Sequence, residues 1–303
     1  MITLSLLVNI LLASQINHTP QVMVTIKPIH ALVSGVMTDI GKPELLLAGG
    51  ESPHTYNMKP SQVRQLHQVD LLIWVGSNVE TFLQKTLTSL EEKKQFRLDK
   101  VSGLHLLKTR KGGRWLAHHH HSSHNDMQTR EIDPHIWLDP NNAKVIVNAV
   151  AYTLSQMDAQ NATHYEQNAL RLIQRIEELD QRLTRQLTPL KAMPFLVFHD
   201  AYQYFEYHYG LTAVGTVTLA SEQLPGAKRL HELRTQIQTQ GVKCVFSEPQ
   251  FTSHLITTLL EDTSAYHGEL DPIGSTLKAG TEAYFMLLQN LADNFELCLL
   301  PKD

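Results

Sequence analysis

Short apolar runs recur along the chain, each followed by a stretch with helical spacing of its apolar residues, and this alternation predicts a parallel α/β architecture. "VMVTI" at 22–26 reads as a buried strand, and "PIHALVSGVMTDIG" after it as a helix opening at Pro28 and stopping at Gly41. "ELLLAGG" reads as strand and loop, "KPSQVRQLHQ" as a helix with Pro in its first turn, and "VDLLIWVG" as a buried strand before a helix around 78–90. The pattern resumes with "FLVF" at 195–198, a helix in "DAYQYFEYHYG", the strand-like "LTAVGTV", the helix "PGAKRLHELRTQIQTQ", the strand "VKCVFSE", and further helices to the end.

Between the two sets lies one different segment. From Asn161 to Leu187 the apolar positions Tyr165, Ala169, Leu172, Ile176, Leu179, Leu183 and Leu187 step by three or four residues with charges between them. This predicts a single helix about 40 Å long at 1.5 Å per residue, ended by Pro189. A coiled-coil seam would give the same stripe over a longer run, but this one is short and stands alone. The expected organisation is a leader over 1–19, an α/β lobe over 20–157, a linking helix over 158–188 and a second α/β lobe over 189–303. A Gly-, His- and Ser-rich insertion occupies about 108–131.

Composition narrows the function. With 303 residues and 42% hydrophobic content, each lobe can bury its own core. Lys+Arg 26 nearly balances Asp+Glu 30 and no basic stripe is present, which argues against a nucleic-acid partner. The unusual feature is 17 histidines, since neutral imidazole is a common ligand for zinc-like metals. At the start, Leu4 to Ala13 has the length of a signal h-region, too short to span a bilayer, and Ala13 suits cleavage; no Lys or Arg precedes it, and a buried first strand is the alternative. No Cys follows for lipid attachment, so an exported form would be soluble. In an oxidising compartment Cys244 and Cys298, both in strand-like apolar contexts, would form one disulfide within the second lobe, two inert buried thiols being the alternative.

In open parallel sheets, ligands bind beyond the carboxyl ends of strands. Four stretches put a metal-ligand residue type at such a point: His54 in "LLLAGGESPH", His135 in "EIDPHIW", His199 in "FLVFHDAY" and Asp271 in "GELDPIG". They are far apart in sequence, so only a cleft between folded lobes could gather them. Singly, each is more often a loop or core residue, and an Asp before Pro is usually a turn residue.

Taken together, "SPHTYNMKPSQ" followed by "DLLIWVG", then "DPHIWLDP", "FHDAYQYF" with "YGL", "FSEPQF" and "LDPIG" resemble the periplasmic binding proteins of metal-uptake ABC transporters, most closely their zinc-binding, ZnuA-like branch. The resemblance covers nearly all of the chain after the leader. It implies two Rossmann-like lobes of parallel sheet and helices joined by one long rigid helix, with one metal between them. Residue by residue it implies ligands at His54, His135 and His199. Asp271 falls where relatives place a carboxylate ligand, although zinc members can leave the fourth position partly to water. Some zinc members carry Glu immediately before the first His; here that place is Pro53, with Glu51 further back, so Asp271, Glu51 and solvent all remain open.

Three imidazoles and one oxygen suit four-coordinate zinc, whereas manganese prefers oxygen-rich, higher-coordinate sites. Manganese-specific relatives have Glu where this chain has His199. The resemblance therefore implies a periplasmic monomer that captures Zn²⁺ as cargo, delivers it to an ABC permease and catalyses nothing; a manganese-binding member of the same family is the nearest alternative. A zinc hydrolase could also hold its ion with three His, but no H-E-x-x-H, G-x-S-x-G or glycine-rich phosphate loop is present. His118, His119, His120, His121 and His124 sit in the insertion, where zinc-binding relatives often carry a His-rich acidic loop; here they would form a weaker accessory site, a free-standing zinc buffer or a solvated loop. His30 reads as a capping or packing residue, and His67, His231 and His254 as helix-surface residues. Asp200 and Glu248 are candidate acceptors for ligand imidazole N–H groups.

Overall fold

The first apolar run forms β1 (Val22–Val24), buried along its whole length, and runs into α1 (Lys27–Val36), which carries Pro in its first turn. Then come β2 (Glu44–Leu45), α2 (Pro60–Gln68), β3 (Leu71–Trp74), a single helical turn α3 (Gln84–Leu87) and β4 (Gln95–Arg97). These strands make one parallel sheet in the order β2-β1-β3-β4. After α4 (Pro140–Met157) and the long α5 (Ala162–Leu187), the second half contributes β5 (Pro194–Val197), α6 (Gln203–Tyr209), β6 (Thr212–Thr216), α7 (Ala227–Gln240), β7 (Cys244–Ser247), α8 (His254–Leu260), β8 (Tyr266–Glu269) and α9 (Glu282–Leu299). Its sheet is again parallel, in the order β6-β5-β7-β8. This computed structural model describes residues 19–110, 115, 132–218, 225–251 and 254–300; the expected leader and the histidine run 118–124 lie outside them.

The expected α/β fold is thus present, with three differences in detail. The helix expected over 78–90 is replaced by a 3₁₀ turn and one turn of α-helix. The buried Glu80 ties the chain down there, its Oε1 accepting from Thr25 Oγ1 and the Val75 amide and its Oε2 from the Gly76 amide. Strands β4 and β8 and helix α4 were not anticipated. The strands are short and their side chains only partly covered, so neither leaves an apolar run. The helix did leave a start signal, Asp139 followed by Pro140, and the Asp139 side chain caps the Asn141 amide. Finally, Cys298 lies in a helix and not a strand: "ELCLL" is the last turn of α9, whose Leu287, Leu288, Leu291 and Phe295 are buried at helical spacing. The expected Cys244–Cys298 disulfide is formed, with Cα atoms 6.0 Å apart, and ties the central strand β7 to α9.

Packing makes the two halves one body. The apolar stripe of α5 is buried, and the helix packs against α4, α1 and α9, drawing on both halves of the chain. The main core runs without a break from β1 and β3 through Trp137 to Phe195, Val197, Phe205 and Phe295. Alternate residues Leu196 and Phe198 of the β5 run face a separate core with Val217, Leu233 and Val245, the period of two expected for a strand covered on both faces. Gly210 ends α6 with φ 71°, a left-handed conformation that a side chain would strain.

One polar clamp locks α6 in place. His208 lies between Asp180 of α5, at 2.7 Å from Nε2, and Asp139 at the start of α4, at 3.2 Å from Nδ1. Burial disfavours the imidazolium, but the two carboxylates outweigh it and push its pKa up to about 9 from 6.5. A group whose folded pKa is raised contributes its full stability below the unfolded pKa and loses it as pH rises through the folded one. Stability is therefore expected to fall by up to about 3 kcal/mol as pH rises through that interval. Urea denaturation at pH 6 and 9.5 should show the loss, and His208→Gln should make the fall in stability between the two pH values smaller by that amount.

Candidate metal centre

Three histidines converge where the two sheets meet. His199 leaves the carboxyl end of β5, carried by the buried "FLVF" run and only 6% exposed. His135 precedes a 3₁₀ turn (Ile136–Leu138) whose three apolar side chains are fully buried, and is itself 5% exposed. His54 comes from the loop between β2 and α2 and is half-buried. The ring centroids of His135 lie 5.5 Å from His54 and 5.4 Å from His199, and His54 lies 5.9 Å from His199. One nitrogen of each comes within 4.8 Å of the others. Nitrogens 2.0–2.1 Å from a tetrahedral zinc stand roughly 3.3 Å apart, so closure by at most about 1.5 Å would complete such a site.

Two of the rings have fixed tautomers. The Asp133 carboxylate accepts from both the amide and Nδ1 of His135, at 3.0 and 2.8 Å, and Glu248 accepts from Nδ1 of His199 at 2.6 Å. An ionised carboxylate can only accept, so with Asp133 and Glu248 charged the ring proton sits on Nδ1 and the Nε2 lone pair is left for the centre. His199 Nε2 is buried and has no hydrogen-bond partner, a costly arrangement for a polar atom unless a ligand takes it. Burial alone would lower the His199 pKa, but the Glu248 carboxylate more than offsets it and holds the value above the ordinary range. Burial pushes the Asp133 carboxyl up to about 7, against the pull of the His135 amide, Arg110 and His199.

Asp200, the neighbour of His199, does not serve a ligand imidazole as a hydrogen-bond acceptor. Its carboxylate is clamped by Arg110, whose guanidinium also donates from Nη1 to Glu206 at 2.6 Å and stacks on the Trp115 ring at 3.5 Å. Asp271 also lies outside the group of converging nitrogens: Oδ1 accepts from the Ile273 amide at 3.2 Å and Gln250 at 3.3 Å, and Oδ2 from the amide and hydroxyl of Ser275 at 2.6 and 2.7 Å. Glu51 is exposed. His30 is buried, with Nε2 at 3.0 Å from the Pro43 carbonyl, a packing role. His67 and His231 are on helix surfaces, and the burial of His254 lies outside the described residues.

Sequence reasoning missed Asp133 and Arg110. The first was detectable, because an Asp two residues before a His in "DPH" can fold back as an Asx turn onto the amide and ring. The second was not, because its partners are 90 and 96 residues away.

Comparison with known proteins follows the geometry. The family described as zinc-uptake complex component A, periplasmic (ZnuA) matches residues 22–298. The high-affinity zinc uptake system protein ZnuA of Brucella abortus (strain 2308) is 38% identical over 307 residues, covering 93% of this chain and 92% of its own. The protein of the same name from Yersinia pestis is 34% identical over 301 residues, covering 96% and 95%. A crystal structure of ZnuA superposes with a TM-score of 0.79 at 24% identity, covering 93% of this chain and 100% of that one, a likeness of fold.

Proposed function

The chain belongs to the ZnuA family of periplasmic zinc-uptake components, and from that premise we propose that it captures Zn²⁺ outside the cytoplasmic membrane and hands it to an ABC permease. The observation that carries the reading is the set of three histidine nitrogens within 4.8 Å of one another, one of them buried and unpartnered on a ring whose tautomer a carboxylate fixes. His54, His135 and His199 are the proposed ligands, with the fourth position left to water because the Asp271 oxygens are engaged elsewhere. The zinc is cargo, and binding, not catalysis, is the function. The lobe boundaries near 157 and 189, a periplasmic location and a monomeric state belong to the same proposal. No helix among the described residues is long and apolar enough to cross a membrane.

The donor set supports zinc over manganese, because imidazole nitrogen suits a four-coordinate zinc ion and manganese favours oxygen. Titration of the metal-free protein with Zn²⁺ in competition with Mn²⁺ should show one tight zinc equivalent and far weaker manganese; equal affinities would defeat the reading. Deleting 118–124 should leave that tight equivalent in place, and its disappearance would move the function to the histidine run.

The carboxylates behind the rings yield a separate expectation. Glu248→Gln and Asp133→Asn keep an acceptor for Nδ1 but remove the charge, and each should weaken zinc binding by about 10- to 100-fold. Chelator competition measures this directly.

A further inference from the structure

The loop that follows β8 touches the surroundings of all three histidines. Tyr202, three residues after His199, donates its hydroxyl to the Leu270 carbonyl at 3.1 Å. Trp137 packs edge-on against His135 at 5.3 Å and donates Nε1 to the Pro272 carbonyl at 2.8 Å. Lys27 donates Nζ to the Ser275 carbonyl at 2.7 Å. The backbone of Gly50, four residues before His54, lies against the same residue: a methyl group placed on it would stand 3.6 Å from Ser275 Cβ. Residues 270–275 are therefore a shared template against which four separate pieces of chain take their register, three of them carrying the histidines.

Inside the template sits Asp271. Its carboxylate gathers the amides of Ile273 and Ser275 and the Ser275 hydroxyl, which folds the segment into the shape that presents Pro272 and Ile273 to the metal cleft. Behind the segment is a cavity of about 140 Å³, bordered by Asp271, Gly274, Leu277, Asn290 and Asn294. The loop is held by its buried Leu270 and Ile273, by the three hydrogen bonds above and by the Asp271 carboxylate, and the space beside Asp271 and Gly274 gives it room to shift once the carboxylate is lost.

We propose that Asp271 is a positioning residue for the metal site, acting through the 270–275 loop to set the three histidines in register, and not a metal ligand. This rests on the zinc-capture reading above and deepens it. Once the clamp is lost, the loop relaxes into the space behind it and the seats of Gly50 and Trp137 loosen.

The test uses the full-length protein loaded with Co²⁺ or Zn²⁺. Visible absorption of the cobalt form reports the donor set, and release to excess chelator, measured well below the melting temperature, reports the hold. Asp271→Ala should release metal about tenfold faster, with cobalt bands at unchanged positions. Asp271→Asn, which keeps one acceptor, should recover part of the loss. Ser275→Ala should go in the same direction, and the Asp271→Ala/Ser275→Ala double variant should release no faster than Asp271→Ala. Shifted cobalt bands in Asp271→Ala would make the residue a ligand and overturn the proposal. Unchanged release beside a lowered melting temperature would reduce it to a structural residue and overturn it equally. Should Asp271→Ala fail to fold, Ser275→Ala and Lys27→Met carry the same measurements. A wild type that holds no metal would defeat the zinc-capture reading itself, whereas metal held equally by wild type and variants defeats this inference alone.

Discussion

Replacing His199 with alanine is expected to weaken zinc binding by on the order of 10²- to 10³-fold, the share of one ligand in a binding free energy of about 10–16 kcal/mol. His199 is the ring whose Nε2 is buried without a partner, and it is delivered directly off the buried end of β5. Its removal also leaves the buried Glu248 without the imidazole N–H it accepts. The acid dependence follows from the same geometry. Glu248 raises the His199 pKa, so in the metal-free protein the ring holds its proton to higher pH than a free imidazole. Zinc must displace that proton, and affinity should therefore fall as pH drops through the site's pKa, with proton release on binding. Calorimetric titration in buffers of different ionisation enthalpy counts the proton; His199→Ala should release fewer. A variant that bound zinc as tightly as the wild type would remove His199 from the ligand set.

The second large effect is on stability, not affinity. Arg110→Met should destabilise the metal-free protein by about 3–5 kcal/mol, because the buried Glu206 and the half-buried Asp200 would be left with no cation. That corresponds to a fall in Tm of roughly 6–15 °C. Burial raises the pKa of both carboxyls even with Arg110 in place. Without it they rise further, so the folded state of the variant binds more protons than the unfolded state and its stability falls as pH rises. The deficit should therefore be larger at pH 8 than at pH 5, a signature that loss of the Trp115 stacking contact alone would not produce. Thermal melts of both proteins at the two pH values give the comparison.

How much of this was legible in the sequence differs by feature. The strands of the two sheet centres were visible because a strand covered on both faces has to be a continuous apolar run, as "LLIW" and "FLVF" are. Edge strands carry no such constraint, and "QFR" and "YHGE" passed unseen. The long helix was legible from the 3.6-residue stripe, and its span agrees with the structure within one residue at its start. At the site, the family resemblance pointed to His54, His135 and His199, but the expected strand-end position holds for His199 alone: His54 lies in a loop nine residues past Leu45, the end of β2, and His135 follows an isolated bridge and not a strand. The partners of those rings depend on tertiary distance. Glu248 was named among the acceptors and does meet His199, while Asp200, named beside it, faces Arg110 instead. Asp271 shows the limit clearly: its type and place fit a ligand, while the four hydrogen bonds its carboxylate accepts from Gln250, Ile273 and Ser275 could not be read from the sequence.

The stem of the histidine-rich insertion has a consequence for how this protein can change. Lys108 pairs with Ile132, the Asp133 amide donates to the Leu107 carbonyl at 2.9 Å, and Asn78 donates to the Ile132 carbonyl at 3.3 Å, so the chain leaves and re-enters the body through a fastened neck. Closing a longer excursion between fixed ends costs only about 0.6 kcal/mol per doubling of its length. Apart from Arg110 and the Trp115 stacked on it, length and composition beyond the neck are thereby uncoupled from the carboxylate at Asp133 that aims His135. The neck makes the insertion a tolerant port, where lineages can lengthen, shorten or rewrite the segment, and where an experimenter can graft a fluorescent reporter a few residues from the metal centre without retuning it.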